Sequence, residues 1–143
     1  MIFPIFSIIL MKKGREESRM EPQVLCVHME PGKVMRLSLI ASSLGIQIRQ
    51  VEEGEWQQPL SALFGLTEKK KGTEKVSVGE EMMVMAFFPE GKMDAFLDAI
   101  RKNKLPPVRL KAVLTAHNGS WNCGRLYIEL KREDLFFRQA EKK

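Results

Sequence analysis

The sequence predicts a single α/β domain of three layers, in which four strands form an open sheet of order 2-1-3-4 with helices on both faces. Two apolar runs, residues 24–29 and 82–88, are typical of strands that are buried on both sides. A helical pattern follows each run, and a strand with alternating apolar and polar residues follows each helix. With 143 residues, the chain is long enough for one domain that contains both βαβ units.

The first unit continues from its apolar strand into a helix. Pro31 suits the first turn of a helix, and apolar residues recur at helical spacing until Gly45 ends the pattern. Residues 46–51 form the next strand, in which the apolar positions alternate with Gln47 and Arg49. One face of this strand is therefore polar, which predicts a position at the edge of the sheet.

The connection between the units, residues 52–81, decides between two topologies. It contains an apolar stretch that can form two turns of helix at 59–66 and a charged loop at 67–75. In a ferredoxin-like α+β fold, βαββαβ with an added C-terminal helix, the second and third strands form a hairpin, whose loop usually has about two to five residues. The longer connection and the apolar central strands favour an open sheet with parallel strands, and the ferredoxin-like fold is the alternative.

The second unit repeats the pattern of the first. Pro89 begins a helix that ends near Lys104, and residues 108–115 alternate as an edge strand does. When Leu25 is superposed on Val84, the two apolar strands, the two helices and a Gly-Lys pair at the start of each helix also align. The chain therefore has a faint internal repeat.

The charge distribution predicts a dipolar molecule instead of a uniformly basic one. The formal net charge is +5, which is weak support for nucleic-acid binding. Glutamates lie in the middle of the chain, whereas residues 99–128 contain no Asp or Glu at all. The glutamates are Glu52, Glu53, Glu55, Glu80 and Glu81, and the basic residues of the acid-free segment are Arg101, Lys102, Lys104, Arg109, Lys111 and Arg125.

The two cysteines predict a reducing compartment and no disulfide framework, so the cytoplasm is the expected location. Cys26 and His28 lie on one face of a strand, but together with His117 and Cys123 they match no ordinary zinc spacing. Each cysteine is expected to be a small buried apolar residue. We therefore expect no metal and no cofactor, and the sequence identifies no catalytic residue.

Residues 1–19 are expected to be a disordered extension or a segment upstream of the true start. The apolar run that begins the chain is followed, not preceded, by Lys12 and Lys13, and it is too short to span a membrane. Residues 12–17 have the composition that an in-frame translation of a purine-rich ribosome-binding site would have. The single domain then comprises residues 20–143, with Met20 as its first residue, and no membrane partner is expected.

The candidate site is the polar turn between the fourth strand and the last helix, which we expect to begin at about Ser120. Backbone N–H groups at the start of a helix attract phosphate and carboxylate groups, and basic residues lie on both sides of this turn. In a parallel sheet the turn shares one rim with His28, whereas in the ferredoxin-like alternative His28 lies at the opposite end from His117. The candidate ligand-binding residues are Thr115, His117, Asn118, Ser120, Trp121, Lys111 and Arg125.

The same residues have a structural interpretation, which is the more common one in proteins. Thr115, Asn118 and Ser120 are good helix caps and turn formers, so they can simply tie the strand to the helix. Trp121 can stack on a base or cover a pocket, but anchoring the helix in the core is its commoner role.

The leading hypothesis is a non-enzymatic binding or regulatory domain, whose polar turn contacts an anionic small molecule or a protein partner. The alternative is RNA binding through the basic residues of 101–125, with Trp121 stacking on a base. An enzyme that uses His117 with Thr115 or Asn118 is the third hypothesis and has the least support. A homodimer contact or a cap on the core is the expected role of Leu135, Phe136 and Phe137.

Several motifs together resemble a known bacterial family. They are Gln58-Pro59-Leu60 in the connection, Met82-Met83-Val84-Met85 in the third strand, and Leu110-Lys111-Ala112-Val113-Leu114-Thr115 with Asn118 and Trp121 beyond it. In this pattern the chain resembles the Domain of Unknown Function 3783 family over roughly residues 23–133, and the resemblance implies a small cytoplasmic bacterial protein without an assigned activity. Ala116 and His117 depart from the family pattern, in which Pro and Thr are usual, so a role for His117 is not expected across the family.

Overall fold

Strands and helices alternate along the chain in the computed structural model, which describes residues 20–72 and 74–141. The strands are β1 (Gln23–Val27), β2 (Gln47–Val51), β3 (Met82–Ala86) and β4 (Leu110–Val113). The helices are α1 (Pro31–Ser42), α2 (Leu60–Leu63), α3 (Lys92–Lys102) and α4 (Cys123–Glu141), and a 3-10 turn spans Glu53–Glu55. The hypothesis about residues 1–19 and the true start lies outside the described residues.

The four strands form an open sheet of order β2-β1-β3-β4, which confirms the predicted order. The prediction that the strands are parallel is wrong at the centre of the sheet. β1 pairs with β2 and β3 pairs with β4 in parallel, but β1 and β3 are antiparallel. The reason is the long connection at 52–81, which returns to the sheet at the end where β2 finishes. The ferredoxin-like alternative is also wrong, because β1 lies between β2 and β3 and no hairpin joins them.

The internal repeat is present in the structure as an approximate twofold relation between the two βαβ units. In the central ladder, Leu25 pairs with Val84, the same two residues that align when the sequences of the units are superposed. Because β1 and β3 are antiparallel and pair at equivalent residues, a twofold rotation about an axis perpendicular to the sheet brings one unit approximately onto the other. The carboxyl ends of β1 and β2 therefore face one way, and those of β3 and β4 face the other.

Backbone conformation repeats along with the strands and helices. His28 follows β1 with φ of 55°, and Phe87 follows β3 with φ of 66°. Gly45 and Lys104 occupy the turns after α1 and α3 with φ of 71° and 57°. A side chain in this left-handed region is uncommon, so the matching positions show that both units leave their strands and helices by the same type of turn.

Helices cover both faces of the sheet, as predicted, but the two faces are covered by different parts of the chain. α1 and α3 pack on one face, where Leu37 and Phe96 are fully buried. Each βαβ unit has a right-handed crossover, which determines the face on which its helix packs. Rotation about an axis perpendicular to the sheet leaves each face in place, so the helices of the two units lie on the same face. The parts outside the repeat, α2 with its flanking connection and α4, cover the other face. None of the helices in the described part of the chain is long and apolar enough to cross a membrane.

Candidate functional site

The turn after β4 is closed by hydrogen bonds between Thr115 and Asn118. The backbone N–H of Thr115 donates to Oδ1 of Asn118 at 2.8 Å, and the backbone N–H of Asn118 donates to Oγ1 of Thr115 at 3.1 Å. Nδ2 of Asn118 donates to the carbonyl of Val113 at 3.0 Å, and the residue is buried. The amide of Asn118 is thus engaged in holding the turn.

The turn also anchors the start of α2, across the face of the sheet. The N–H of Leu60 donates to the carbonyl of Trp121 at 2.8 Å, and the N–H of Ser61 donates to the carbonyl of Gly119 at 2.9 Å. These are N–H groups that a helix leaves without an internal partner at its first turn. The turn therefore supplies the acceptors that α2 needs, and it is fixed relative to the core.

α4 begins at Cys123, later than predicted, and its cap is Asn122. Oδ1 of Asn122 accepts from the N–H of Arg125 at 2.9 Å, and the N–H of Cys123 donates to the carbonyl of Trp56 at 3.0 Å. The expectation that Thr115, Asn118 or Ser120 caps this helix is wrong, because residues 116–120 form a separate turn before it. Two N–H groups at the start of α4 are thus occupied by the protein and not available to an anion.

Three side chains stack on the outer side of this turn, and we call them the His117–Trp121–Arg125 stack. The rings of His117 and Trp121 meet edge to face with their centroids 5.2 Å apart. Cζ of Arg125 lies 4.7 Å from the centroid of the Trp121 ring, within the range of a cation–π contact. His117 and Arg125 are exposed, whereas Trp121 is half-buried and packs against the core under α4. Trp121 thus packs against the core and remains partly accessible to solvent.

The turn and the stack lie inside the segment that a comparison with known families identifies. Residues 81–137 match the family model Domain of unknown function (DUF3783). The match supports the resemblance for β3, α3, β4, the turn and most of α4. It does not include residues 23–80, over which the sequence resemblance also extended. No curated protein and no solved structure matches the chain.

Within the DUF3783 segment, Lys111 is not brought to the stack. Its Nζ donates to the carbonyl of Val108 at 2.7 Å, toward the amino end of β4, whereas Thr115 follows the carboxyl end. Ser120 is exposed beside Trp121 and has no hydrogen bond from its side chain to the described residues. Of the seven predicted residues, the structure therefore brings together six around the turn and separates one.

The basic residues of the acid-free segment are largely paired with carboxylates that lie outside it. Four of the six basic residues in this segment form an ion pair with a carboxylate. The paired bases are Arg101 and Lys102 with Asp98, Arg109 with Glu80 and Asp134, and Arg125 with Glu129. The segment that lacks acids in sequence is thus not a bare basic surface in the folded chain.

His28 and the turn do not share a rim, contrary to the expectation for a parallel sheet. The antiparallel pairing of β1 and β3 places His28 at one end of the sheet and Thr115 at the other. The left-handed backbone of His28 also ends the alternation of side chains between the two faces of the sheet. The ring of His28 therefore contacts that of Trp56, with the two centroids 5.7 Å apart. Cys26 packs on the opposite face, beneath α1 and α3. The expectation that Cys26 and His28 share a face is therefore wrong.

Both cysteines are free and buried. Burial raises the pKa of the Cys26 thiol to about 12, with a further contribution from the nearby Glu81 carboxylate. Burial likewise raises the pKa of the Cys123 thiol to about 12. Among the described residues, no group of three or more His, Cys, Asp or Glu side chains is arranged to hold a metal ion.

A second concave site was not identified from the sequence. It is a cavity of about 450 Å³ at the carboxyl ends of β1 and β2, and we call it the β1–β2 crevice. The signal that could have located it is the parallel pairing of these strands, since ligand sites of open α/β sheets lie outside the carboxyl ends of strands. Its lining includes His28, Glu30, Gln50, Glu52, Glu53 and Trp56.

The apolar residues near the end of α4 do not cap the core. Leu135, Phe136 and Phe137 are 52%, 67% and 63% exposed, and the rings of the two phenylalanines contact each other. The expectation that they cap the core is therefore wrong, and a homodimer contact at this place stays a prediction.

Proposed function

We propose that the chain is a binding or regulatory domain of the cytoplasm, and that the His117–Trp121–Arg125 stack recognises an anionic group of a small molecule or of a protein partner. The observation that supports this most is the position of the Arg125 guanidinium over the ring of the half-buried Trp121. Ser120 adds a hydroxyl beside the stack, and Thr115 and Asn118 hold the turn that carries it. Two buried free cysteines are consistent with a reducing compartment.

The chemistry of the stack suits a planar anion or a carboxylate. Nε of Arg125 donates to Oε1 of Glu129 at 3.3 Å, and its terminal nitrogens have no hydrogen bond to the described residues. A guanidinium held on an indole loses little freedom on binding, and its terminal N–H groups donate to carboxylate or phosphate oxygens. The rings of Trp121 and His117 can contact an aromatic part of the same ligand.

Catalysis at this turn has less support than binding. Asn118 and Thr115 bond each other, and the ring of His117 contacts Trp121 instead of either of them. These side chains therefore form no chain through which a proton could pass from a hydroxyl to an imidazole.

RNA binding also has less support than recognition of one anionic group. Arg109, which the RNA hypothesis requires, is held by Glu80 and Asp134, and Lys111 donates to a backbone carbonyl. A nucleic-acid surface gains affinity by neutralising phosphates with free bases, and these two bases already have partners.

The indole N–H signals of Trp56 and Trp121 in ¹⁵N spectra test the proposal. Nucleotides and organic acids are titrated into the whole protein, and a ligand of the stack shifts the Trp121 signal in a saturable way. Arg125→Gln should weaken that binding at least tenfold. Arg132→Gln is the matched control, because Arg132 also pairs with Glu129 but lies off the tryptophan. Equal effects of the two variants, or no saturable shift with any compound, would contradict the proposal.

A further inference from the structure

We infer that Asn118 is a latent modification site, whose side-chain amide is converted to a carboxylate by deamidation in molecules where the turn after β4 is open. Asn118 is followed by Gly119. This pair is especially prone to deamidation in an unfolded chain, because glycine has no side chain that hinders its main-chain nitrogen. The other two asparagines are followed by Lys104 and Cys123. The modification site does not depend on the proposed function of the stack.

The reaction needs water and the two residues themselves, with no oxidant or reductant. The main-chain nitrogen of Gly119 attacks Cγ of Asn118, and its amide proton passes to water or hydroxide. The bond from Cγ to Nδ2 then breaks, ammonia leaves, and a succinimide ring remains. Water opens this ring at either carbonyl carbon, which gives aspartate or isoaspartate. In isoaspartate the main chain continues through the side-chain carboxyl group.

The closed turn holds the groups that this reaction must release. The N–H of Gly119 donates to the carbonyl of Thr115 at 3.0 Å, so the proton that must leave is already bound. Nδ2 of Asn118 donates to the carbonyl of Val113, and its Oδ1 accepts from the N–H of Thr115. Asn118 is also buried, which limits the access of water and hydroxide. Deamidation therefore proceeds from molecules in which the turn has opened.

Close packing favours glycine beside Asn118. A Cβ on Gly119 would lie 3.3 Å from the carbonyl oxygen of Thr115 and 3.7 Å from Cβ of Ser61. The carbonyl of Gly119 also accepts from the N–H of Ser61 at 2.9 Å, which anchors α2. A larger residue would hinder the attack on Cγ, but it would also crowd this contact. The packing that closes the turn thus keeps the reactive pair in the chain.

The products of deamidation oppose closure of the turn. The aspartate product has no N–H to donate to the carbonyl of Val113, and it places a negative charge where Asn118 is buried. The isoaspartate product lengthens the main chain before Gly119 and so displaces the hydrogen bonds of Gly119 to Thr115 and Ser61. An opening that is otherwise reversible therefore becomes permanent in the molecules that react, and these molecules lose the support of the His117–Trp121–Arg125 stack.

Peptide mapping by mass spectrometry, after incubation of the whole protein in mildly alkaline buffer, tests the inference. Deamidation at Asn118 should be at least tenfold slower in the native protein than in the same chain unfolded by guanidinium chloride. This comparison uses the parent protein alone, so it does not depend on the folding of any variant. Equal rates in the two states would overturn the inference.

Two variants distinguish opening of the turn from unfolding of the whole domain. Thr115→Ala removes the hydroxyl that accepts from the N–H of Asn118, so it should speed native deamidation at least threefold. Ile100→Val shortens a buried side chain on the opposite face of the sheet, and it should leave the rate within twofold of the parent. Denaturation measurements establish that both variants remain folded. Equal acceleration by the two variants would contradict local opening as the source of the reaction.

Asn118→Asp reproduces the aspartate product in every molecule. It should lower the midpoint of denaturation, and hydrogen exchange at the Ser61 N–H, whose acceptor is Gly119, should be at least tenfold faster than in the parent. Ser120→Ala, at an exposed position of the same turn, is the control and should leave both quantities unchanged. Stability and exchange like those of the parent in Asn118→Asp would show that the product closes the turn, and would overturn the inference.

Discussion

Thr115 and Asn118 donate to each other, backbone to side chain in both directions, at 2.8 and 3.1 Å. This reciprocal pair closes the turn that carries the exposed stack and supplies the acceptors for α2. The turn is therefore part of the core architecture as well as the candidate site.

Replacing Asn118 should destabilise the fold. Asn118→Ala removes the acceptor of the Thr115 N–H and the donor to the Val113 carbonyl, and buried groups left in this way cost about 1–3 kcal/mol in the free energy of unfolding. Urea denaturation measures the loss. Ser120→Ala, at an exposed neighbouring position, should stay within about 0.5 kcal/mol of the parent protein. Equal stability of the two variants would contradict this role of Asn118.

The face beneath α1 and α3 should depend on Phe96. Its side chain is fully buried, so Phe96→Ala should lower the free energy of unfolding by about 3–5 kcal/mol. Leu39, which is 71% exposed on α1, is the control position, and Leu39→Ala should have little effect in the same denaturation experiment. A small loss for Phe96→Ala would show that this face is not packed as described.

Gly124 near the start of α4 should resist substitution although it lies in a helix. Alanine normally stabilises a helix relative to glycine by about 1 kcal/mol. A Cβ at this position would lie 2.6 Å from Cγ1 of Val76, so Gly124→Ala should instead be destabilising by about 1–3 kcal/mol. The double variant Gly124→Ala/Val76→Ala should regain part of that stability, because the contacting methyl group is gone. A Gly124→Ala protein more stable than the parent would contradict the close packing.

The carboxylate of Glu80 should make stability sensitive to acid. Hydrogen bonds from Lys131 and Tyr127, with the charges of Lys131 and Arg109, hold the pKa of Glu80 below its ordinary value. A lowered pKa means that the stabilisation is present above the ordinary value and is lost as the pH falls through the lowered one. Between about pH 6 and pH 3, the melting temperature of Glu80→Gln should therefore fall less than that of the parent protein. Parallel curves for the two proteins would rule out this contribution.

The cysteines should react only after unfolding. Burial raises the pKa of both thiols to about 12, so almost no thiolate is present at pH 8 in the folded chain. A disulfide reagent that releases a coloured thiolate should titrate no thiol in the native protein and two thiols in urea. Rapid native labelling would contradict the burial of Cys26 and Cys123.

Sequence patterns predicted the strand order, the exposed edges and the helices on both faces, because periodicity reports which side chains are buried. They did not predict the direction of β3 relative to β1. Both strands would be buried on two faces whether they ran parallel or antiparallel. The apolar runs around Leu25 and Val84 therefore do not indicate at which end of the sheet the connection at 52–81 leads into β3.

The candidate site was predictable in part for a similar reason. Thr115 and Asn118 have the residue types of a tight turn, and the turn is there. The sequence could not identify Asn122 as the cap, since several polar residues precede α4. It also could not show that carboxylates distant in sequence, such as Glu80 for Arg109, neutralise the acid-free segment.

The open sheet leaves β2 and β4 with one unpaired side each, and unpaired strand edges are places where another chain can add a strand. Arg49 is exposed on β2, Lys111 is exposed on β4, and Arg109 directly precedes β4. Charged side chains at an edge oppose strand addition, because a second copy would bring like charges together. The basic residues at both edges therefore disfavour pairing with the edge of a second copy, although Glu55 and Glu80 offset part of the charge of Arg49 and Arg109.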